Sequence, residues 1–382
     1  MFTHIKLKNF KAIKNLDLPL SPITAFIGPN DSGKSSILQA IHIAMQLAWG
    51  KDCKDIFIDD WQLKQLQTKN ISIPIYLEFD GKSSSVASFK WHFTLEDDIL
   101  SDEYYDIKGQ KNFSIKHSKS ILLDTFQSSL IIHGFAYLHF NSNKLKQPSY
   151  SEEEQPELQT DGSNLPSVLS AMQGLYRDRF EELEKRFIEI VPTIKRILIG
   201  PAMVFKDEFE TIRINNDIVT RKISRRYTGH CLYVDTISGD RIPAAHISDG
   251  SILILGYLAA LFAQSPTNLL GKKQPTLLLI EEPETGIHPK SLKIVMETFR
   301  NCPDRDDVQI LMTSHSPYLI DFLEPEEIVL TRRENGYTET ARLDELPDIR
   351  KWLENLSPGE LWTMGGEDEL MEKIRQKRGG NG

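Results

Sequence analysis

The sequence predicts an α/β protein with a mainly parallel sheet, an N-terminal antiparallel β part and a β-rich, helical insertion. Three observations predict it. Apolar strands alternate with helical patterns through the last third, a strand, glycine-rich turn and helix open the chain, and period-two alternation fills the stretch from about residue 70 to 139.

Residues 2–27 carry short apolar runs at Ile5, Leu7 and Phe10, at Leu16, Leu18 and Leu20, and from Ile23 to Ile27. They read as two antiparallel strands feeding a buried one. From Ser35 to Trp49, apolar residues recur at Ile37, Leu38, Ile41, Ala44, Leu47 and Ala48, which is helical spacing. Alternation at Ile71, Ile73, Ile75, Leu77 and Phe79, then at Phe89, Trp91 and Phe93, predicts an antiparallel insertion.

Residues 147–161 are acidic, contain Pro and Ser and show no apolar face, so a mobile loop is expected. Helices are expected from about Leu165 to Phe187, and short strands from Ile194 to Val234. Then come a helix at Ser251–Ala263, a strand at Thr276–Ile280, a helix at Pro289–Phe299, a strand at Val308–Met312 and a helix at Pro317–Phe322. Such alternation builds a mainly parallel sheet covered on both faces. The expected division is an N-terminal lobe over 1–60, the insertion over 61–235, a C-terminal lobe over 236–345 and a helical tail over 346–382.

At 382 residues the chain exceeds one ordinary compact domain and can bury a sizeable core. Its formal net charge of -9 argues against a protein that coats nucleic acid non-specifically, because phosphate binding draws on clustered Lys and Arg. Local basic patches remain: Arg221, Lys222, Arg225 and Arg226 beside Tyr227, and Lys373, Arg375, Lys377 and Arg378 near the end. Each either tracks phosphates or is a solvated strand edge or tail. Cys53, Cys231 and Cys302 are scattered singly, which suggests neither a disulfide framework nor a zinc site and fits a reducing cytoplasm. The first residues carry charge every few positions, unlike a signal peptide. The longest apolar run, Ile252 to Ala263, falls short of the about 20 residues that span a bilayer, so no membrane is expected.

Gly28-Pro-Asn-Asp-Ser-Gly33-Lys34-Ser35 matches G-x-x-x-x-G-K-[ST] between a strand and a helix, the context this phosphate-binding motif requires. Gly28 and Gly33 let backbone N–H groups curl around a β-phosphate, and the helix N-terminus adds a favourable dipole. Lys34 would contact the β- and γ-phosphates and Ser35 would coordinate Mg²⁺, making ATP and Mg²⁺ the expected cofactors. Asn30, Ser32 and Ser36 belong to the same nucleotide-binding set.

Leu277 to Ile280 is an apolar strand ending in Glu281 and Glu282, and such strand ends are where α/β sheets bind ligands. Glu281 would hold Mg²⁺ through water, and Glu282 would polarise the attacking water as general base. His315 follows the strand Ile310 to Met312, where a switch histidine would touch the γ-phosphate. Ser248 or Asp249 can cap the helix that follows them, and Gly250 permits close approach of an anion. His288, in the loop after the acids, reads as structural.

Together, Leu7-Lys-Asn-Phe-Lys11, GPNDSGKSS, DGSNLP at 161–166, ISDGS, LLLIEEPETGIHP and QILMTSHSPYLID resemble the RecF-like, SMC-related ATPases, and within them the stand-alone OLD-like AAA ATPases of bacterial defence systems. The resemblance implies an ABC-type ATPase head and makes ISDGS its signature. Lys11 would approach nucleotide in cis, Ser248 and Gly250 would act in trans on the γ-phosphate of a partner chain, and Glu282 and His315 would govern hydrolysis. It implies a homodimer or higher even oligomer. The first acid is Glu281 where many ABC proteins have Asp, and the glutamine that normally links the metal to the moving lobe has no clear match. SMC proteins place long coiled coils between phosphate loop and signature, and no sustained heptad repeat occurs here. OLD nucleases carry a metal-dependent TOPRIM domain after the switch histidine, and no spaced acidic cluster resembling one follows His315.

The leading expectation is therefore an ATPase subunit that acts with a separately encoded effector such as a nuclease in anti-phage defence. A RecF-like repair ATPase with DNA as partner is the alternative. The large insertions and the EEPE…HP sequence speak against a transporter subunit.

Overall fold

A computed structural model describes residues 1–48, 75–81, 89–96, 99–105, 111–117, 134–214, 217–263, 276–301 and 308–379. Cys53, Cys302 and the strand expected around Ile71 and Ile73 lie outside them. The chain divides into two compact units. One comprises Met1–Tyr137, Pro266–Thr285 and Met296–Gly382, and the other Leu138–Ser265 and Gly286–Val295.

In the first unit, β1 (Phe2–Phe10) and β2 (Ile13–Pro19) pair antiparallel, with Ile5 opposite Leu18, Leu7 opposite Leu16 and Phe10 opposite Ile13. Period-two alternation sends these apolar side chains to one face and Lys6 and Lys8 to the other. The strands expected as an insertion, β4 (Ile75–Gly81), β5 (Phe89–Glu96), β6 (Ile99–Tyr105) and β7 (Lys111–His117), join this same sheet. Its order is β2-β1-β4-β5-β6-β7, antiparallel throughout.

A second sheet contains β3 (Ile23–Ile27), β8 (Gly134–Leu138), β12 (Thr276–Glu281), β13 (Val308–Ser314), β14 (Ile328–Glu334) and β15 (Tyr337–Arg342) in the order β15-β14-β3-β13-β12-β8. β12, β13, β3 and β14 run parallel, and β15 returns antiparallel on β14. The first three are near-continuous apolar runs, as strands covered on both faces must be. Helix α1 (Lys34–Ala48) joins one core cluster with Ile5, Leu7 and Leu16 of the antiparallel sheet and with Leu277, Leu279 and Leu311 of the parallel one. Residues buried as fully as Ile37, Leu38 and Ile41 each contribute roughly 1.5–3 kcal/mol through removal from water.

The second unit begins with the one-turn α2 (Ser142–Leu145), capped by the Asn141 side chain, followed by α3 (Leu165–Leu175) and α4 (Arg177–Ile190). Between α2 and α3 the acidic stretch forms neither helix nor strand, apart from a single bridge of Ser149 with His230. The short strands expected over 194–234 are instead two long ones, β9 (Ile194–Ile214) and β10 (Asp217–Thr236), paired antiparallel in one register from Asp217 to Asp235, with a shift at Asp235–Thr236. The short β11 (Arg241–Pro243) is added on β10. At about 3.3 Å per residue the hairpin reaches roughly 65 Å.

Gly200, Pro201 and Gly229 all lie inside the ladder. Pro201 faces His230, whose own N–H and C=O point outward to Ser149. The proline nitrogen therefore also points off the edge, where it costs no ladder bond. Helix α5 (Asp249–Ala263) is buried all round from Ile252 to Phe262 and packs on α2, α3 and α4.

Helix α6 (Pro289–Arg300) follows in sequence. Beyond β13, the helix expected over Pro317–Phe322 is a single turn, α7 (Pro317–Ile320). The expected helical tail contains α8 (Ile349–Leu353) and α9 (Pro358–Gly379), the latter broken at Gly366. No helix among the described residues is long and apolar enough to cross a membrane.

Candidate functional site

The phosphate loop runs from the end of β3 into α1. Gly33 takes φ +100, and a Cβ there would lie 2.0 Å from Thr338 Oγ1 on β15, so both conformation and space demand glycine. Ser32 is buried with its hydroxyl 3.1 Å from Thr331 Oγ1 on β14, and Thr331 donates to Ile27 O at 2.9 Å. Arg333 reaches Asp31 O. The β14–β15 hairpin, which the sequence reading did not anticipate, thus buttresses the loop. Asn30 is exposed, and Ser35 and Ser36 sit half-buried in the first turn of α1.

Lys34 is buried, and its ammonium donates to Gly28 O and Pro29 O, both at 2.7 Å. Burial pulls its pKa below the ordinary lysine value, against the opposite pull of the carboxylates of Glu282, Glu284, Glu367 and Asp31. Four acids thus act on one ammonium. Adding a polyphosphate here calls for further positive charge, which a divalent cation supplies.

Glu281 ends β12 and Glu282 begins the loop after it, with φ +46, an uncommon conformation for a residue with a side chain. The Glu282 N–H donates to Thr313 O at 3.1 Å, tying the loop to β13. His315, just past β13 and about half exposed, places Nδ1 3.2 Å from Glu282 Oε1 and 3.8 Å from Glu284 Oε1. The expected general base and the expected switch histidine are therefore in contact.

Glu284, which the sequence reading quoted within its motif without a role, is the buried member of the group. Its Oε1 accepts from Ser314 Oγ at 2.6 Å and from the His315 backbone N–H at 3.2 Å, while Oε2 is buried without a hydrogen-bond partner. Desolvation raises its pKa above the ordinary carboxyl value, against the lowering effect of these donors.

Glu281 accepts a hydrogen bond from the Tyr137 hydroxyl on β8. Burial, then the hydrogen bond and charge of Glu281, push that phenol far above its usual pKa, so it remains a neutral donor. Lys11, in the turn between β1 and β2 at φ +50, directs its ammonium to Gln39 of α1. Burial lowers its pKa and the Glu281 carboxylate opposes that. Tyr137 and Gln39 escaped sequence reasoning because an aromatic in an apolar strand and a polar residue in a helix carry no local signal of a site.

A donor set of the Ser35 hydroxyl and one Glu281 oxygen suits Mg²⁺, which takes few protein ligands and keeps waters and phosphate oxygens for the rest. Among the described residues, no group of three or more His, Cys, Asp or Glu gathers as a metal cage.

In the second unit, the sequence left Ser248 and Asp249 as alternative caps of α5, and the structure selects Ser248. Its Oγ accepts from the Ser251 N–H at 3.1 Å, while Asp249 pairs with Lys146 at 2.6 Å. A Cβ on Gly250 would come within 3.0 Å of Gly286 O, so the chain after the acids lies directly against the glycine of ISDGS. His288 Nδ1 accepts from the Lys290 N–H at 3.2 Å, a structural role at the start of α6.

The two basic patches differ. Arg375 pairs with Glu334 and Glu339, Lys373 with Glu369 and Arg378 with Glu345, so the C-terminal basic residues are engaged within their own unit rather than forming a loose tail. On the β9–β10 hairpin, Lys222 pairs with Asp207 and Arg225 with Glu208, while Arg221 and Arg226 form no ion pair among the described residues.

A phosphate loop on a parallel sheet, strand-end acids and a histidine beyond the next strand define a nucleotide-binding ATPase of the ABC type. Residues 23–321 match the family described as "AAA domain, putative AbiEii toxin, Type IV TA system", and the chain belongs to that family. It is 24% identical over 356 residues to an OLD nuclease of Thermus scotoductus, a match that covers 87% of this chain and 62% of that protein. The chain thus spans less than two thirds of this relative's length. Its fold is that of an SMC head: the structure of an SmcHead bound to the C-winged helix domain of ScpA aligns with TM-score 0.55 at 13% identity, over 89% of this chain and 96% of that one.

Proposed function

We propose that the protein binds ATP with Mg²⁺ and hydrolyses it in a head-to-tail dimer, and that this cycle gates a separate effector, a nuclease, in bacterial anti-phage defence. The observation that carries the catalytic part is the convergence of Lys34, Glu282 and His315 through shared charges and contacts. The family description and the likeness to a nuclease support the effector part.

In this reading the loop N–H groups and Lys34 hold the β- and γ-phosphates. Bound Mg²⁺, held by Ser35 and through water by Glu281, would neutralise charge on the phosphates. Glu282 takes a proton from the attacking water as that oxygen bonds to the γ-phosphorus and the bond to ADP breaks. His315 contacts the γ-phosphate. Ser248 and Gly250 of the partner chain close the site from the other side, where the α5 N-terminus favours an anion.

Phosphate release from ATP by wild type and Glu282→Gln tests this. The variant should bind ATP yet turn over about 10²–10⁴-fold more slowly, the usual worth of a general base. Wild-type turnover in the variant would move the base elsewhere, with Glu281 the first suspect.

One observation favours the second reading, a RecF-like DNA-binding repair ATPase. Met203, Phe205 and Phe209 are 58%, 68% and 73% exposed and lie on one face of the hairpin. Phe205 is directly opposite Arg226, and Phe209 opposite Lys222. Exposed aromatic rings beside cations are the chemistry that stacks bases and tracks phosphates.

A further inference from the structure

Glu281 stands at the end of a strand, and a glutamate there ordinarily turns freely about three side-chain bonds. Here it does not. A line of side chains from three other elements ends on it: Lys11 of the β1–β2 turn donates to Gln39 Oε1 of α1, Gln39 is hydrogen-bonded to Tyr137 of β8, and the Tyr137 hydroxyl donates to Glu281 Oε1.

The donors run in one direction. An ammonium has only protons to give, a carboxylate only lone pairs, and the amide and phenol between them each accept at one atom and donate from another. With Gln39 Oε1 taken by Lys11 and the Tyr137 proton given to Glu281, the amide N–H of Gln39 is left to donate to the phenol oxygen. The Tyr137 ring is itself held, with the His42 ring tilted against it at 4.5 Å and His42 stacked on Phe135 at 5.5 Å.

We propose that Tyr137, oriented by Gln39 and Lys11, is a positioning residue that fixes the orientation in which the Glu281 carboxylate meets a metal-bound water. This deepens the function proposed above and rests on it. Because Gln39 lies on the helix that begins with Lys34 and Ser35, the line couples the orientation of the acid to the helix that carries the phosphate loop. It also gives Lys11 a role through Gln39 rather than through the nucleotide. Hydrogen bonds that orient a metal's ligands are typically worth 10–100-fold in metal affinity when removed.

The test measures two equilibria in wild type, Tyr137→Phe and Gln39→Leu: ATP binding in EDTA by calorimetry, and Mn²⁺ binding by electron paramagnetic resonance at saturating non-hydrolysable ATP analogue. Tyr137→Phe should leave metal-free ATP affinity within about twofold while weakening Mn²⁺ binding by about 10–100-fold. Gln39→Leu should act in the same direction and less strongly, and carries the test if Tyr137→Phe does not fold. Mn²⁺ binding equal to wild type in the folded variants overturns the positioning role and leaves the ATPase reading standing. Loss of metal-free ATP binding in step with Mn²⁺ binding would make Tyr137 a mere support of the fold and also overturns it. A wild-type protein that binds no Mn²⁺ with the analogue overturns the ATPase reading, and the proposal with it.

Discussion

His315 Nδ1 lies 3.2 Å from Glu282 Oε1, so the imidazole rests on the carboxylate to which the proposed mechanism gives the proton of the attacking water. Glu284 holds the backbone of that histidine from beneath, through its N–H and the neighbouring Ser314 hydroxyl. In the proposed function, a bound γ-phosphate would offer His315 a second partner besides Glu282.

His315→Ala should therefore separate binding from turnover. The side chain is about half exposed and contacts neither the phosphate loop nor Lys34 in any bond described above, so ATP affinity should change by less than about threefold, while hydrolysis falls on the order of 10²-fold, the usual cost of losing one transition-state donor. Single-turnover hydrolysis beside equilibrium ATP binding checks this. Unchanged turnover would remove His315 from the mechanism.

Glu284 makes a prediction about pH. Desolvation raises its folded-state pKa above the unfolded value, so the folded protein holds that proton more tightly than the unfolded chain does. The stability this lends is present at low pH and is lost as pH rises through the raised value. Glu284→Gln keeps an acceptor for Ser314 and His315 but cannot ionise. Its stability relative to wild type should improve as pH rises above the ordinary glutamate value of about 4.3, read from denaturant midpoints, whatever its absolute value. A pH-independent difference would mean that Glu284 binds its proton equally in the folded and unfolded states, which contradicts the raised value.

On the hairpin, reversing Arg221 and Arg226 to Glu tests the DNA reading. Each phosphate contact releases condensed counterions, so affinity must fall steeply with salt, and losing two contacts should reduce that log–log slope by roughly 1.4–1.8. Filter binding of single-stranded DNA with ATP across a salt series measures it. A protein that shows no salt-dependent binding deprives this reading of its main support.

Much of this was legible in the sequence because the motifs are local. The phosphate loop, the strand-end acids and the capped helix each declare themselves within eight residues, and apolar runs such as Leu277–Ile280 mark buried parallel strands. What escaped was non-local or misleading. The short strands expected over 194–234 are one long ladder with Gly200, Pro201 and Gly229 inside it, because edge geometry that tolerates proline is invisible before strands are paired. The β14–β15 hairpin holds the loop through Thr331 and Thr338, residues ordinary in themselves. Tyr137 and Gln39 matter only because the sheet sets β8 beside β12.

The central claim is that ATP joins two chains, Lys34 of one to Ser248 and Gly250 of the other, and complementation tests it most directly. Lys34→Ala should bind no ATP, and Ser248→Arg should bind ATP without pairing, since an arginine at the cap of α5 blocks the approach of a phosphate. Each alone should be inactive. Mixed, they share one intact composite site per heterodimer, so ATP-dependent association should reappear by light scattering in a Glu282→Gln background, with partial hydrolysis when Glu282 is retained. Full association and hydrolysis by Ser248→Arg alone would contradict the account, because the signature would then play no part in trans.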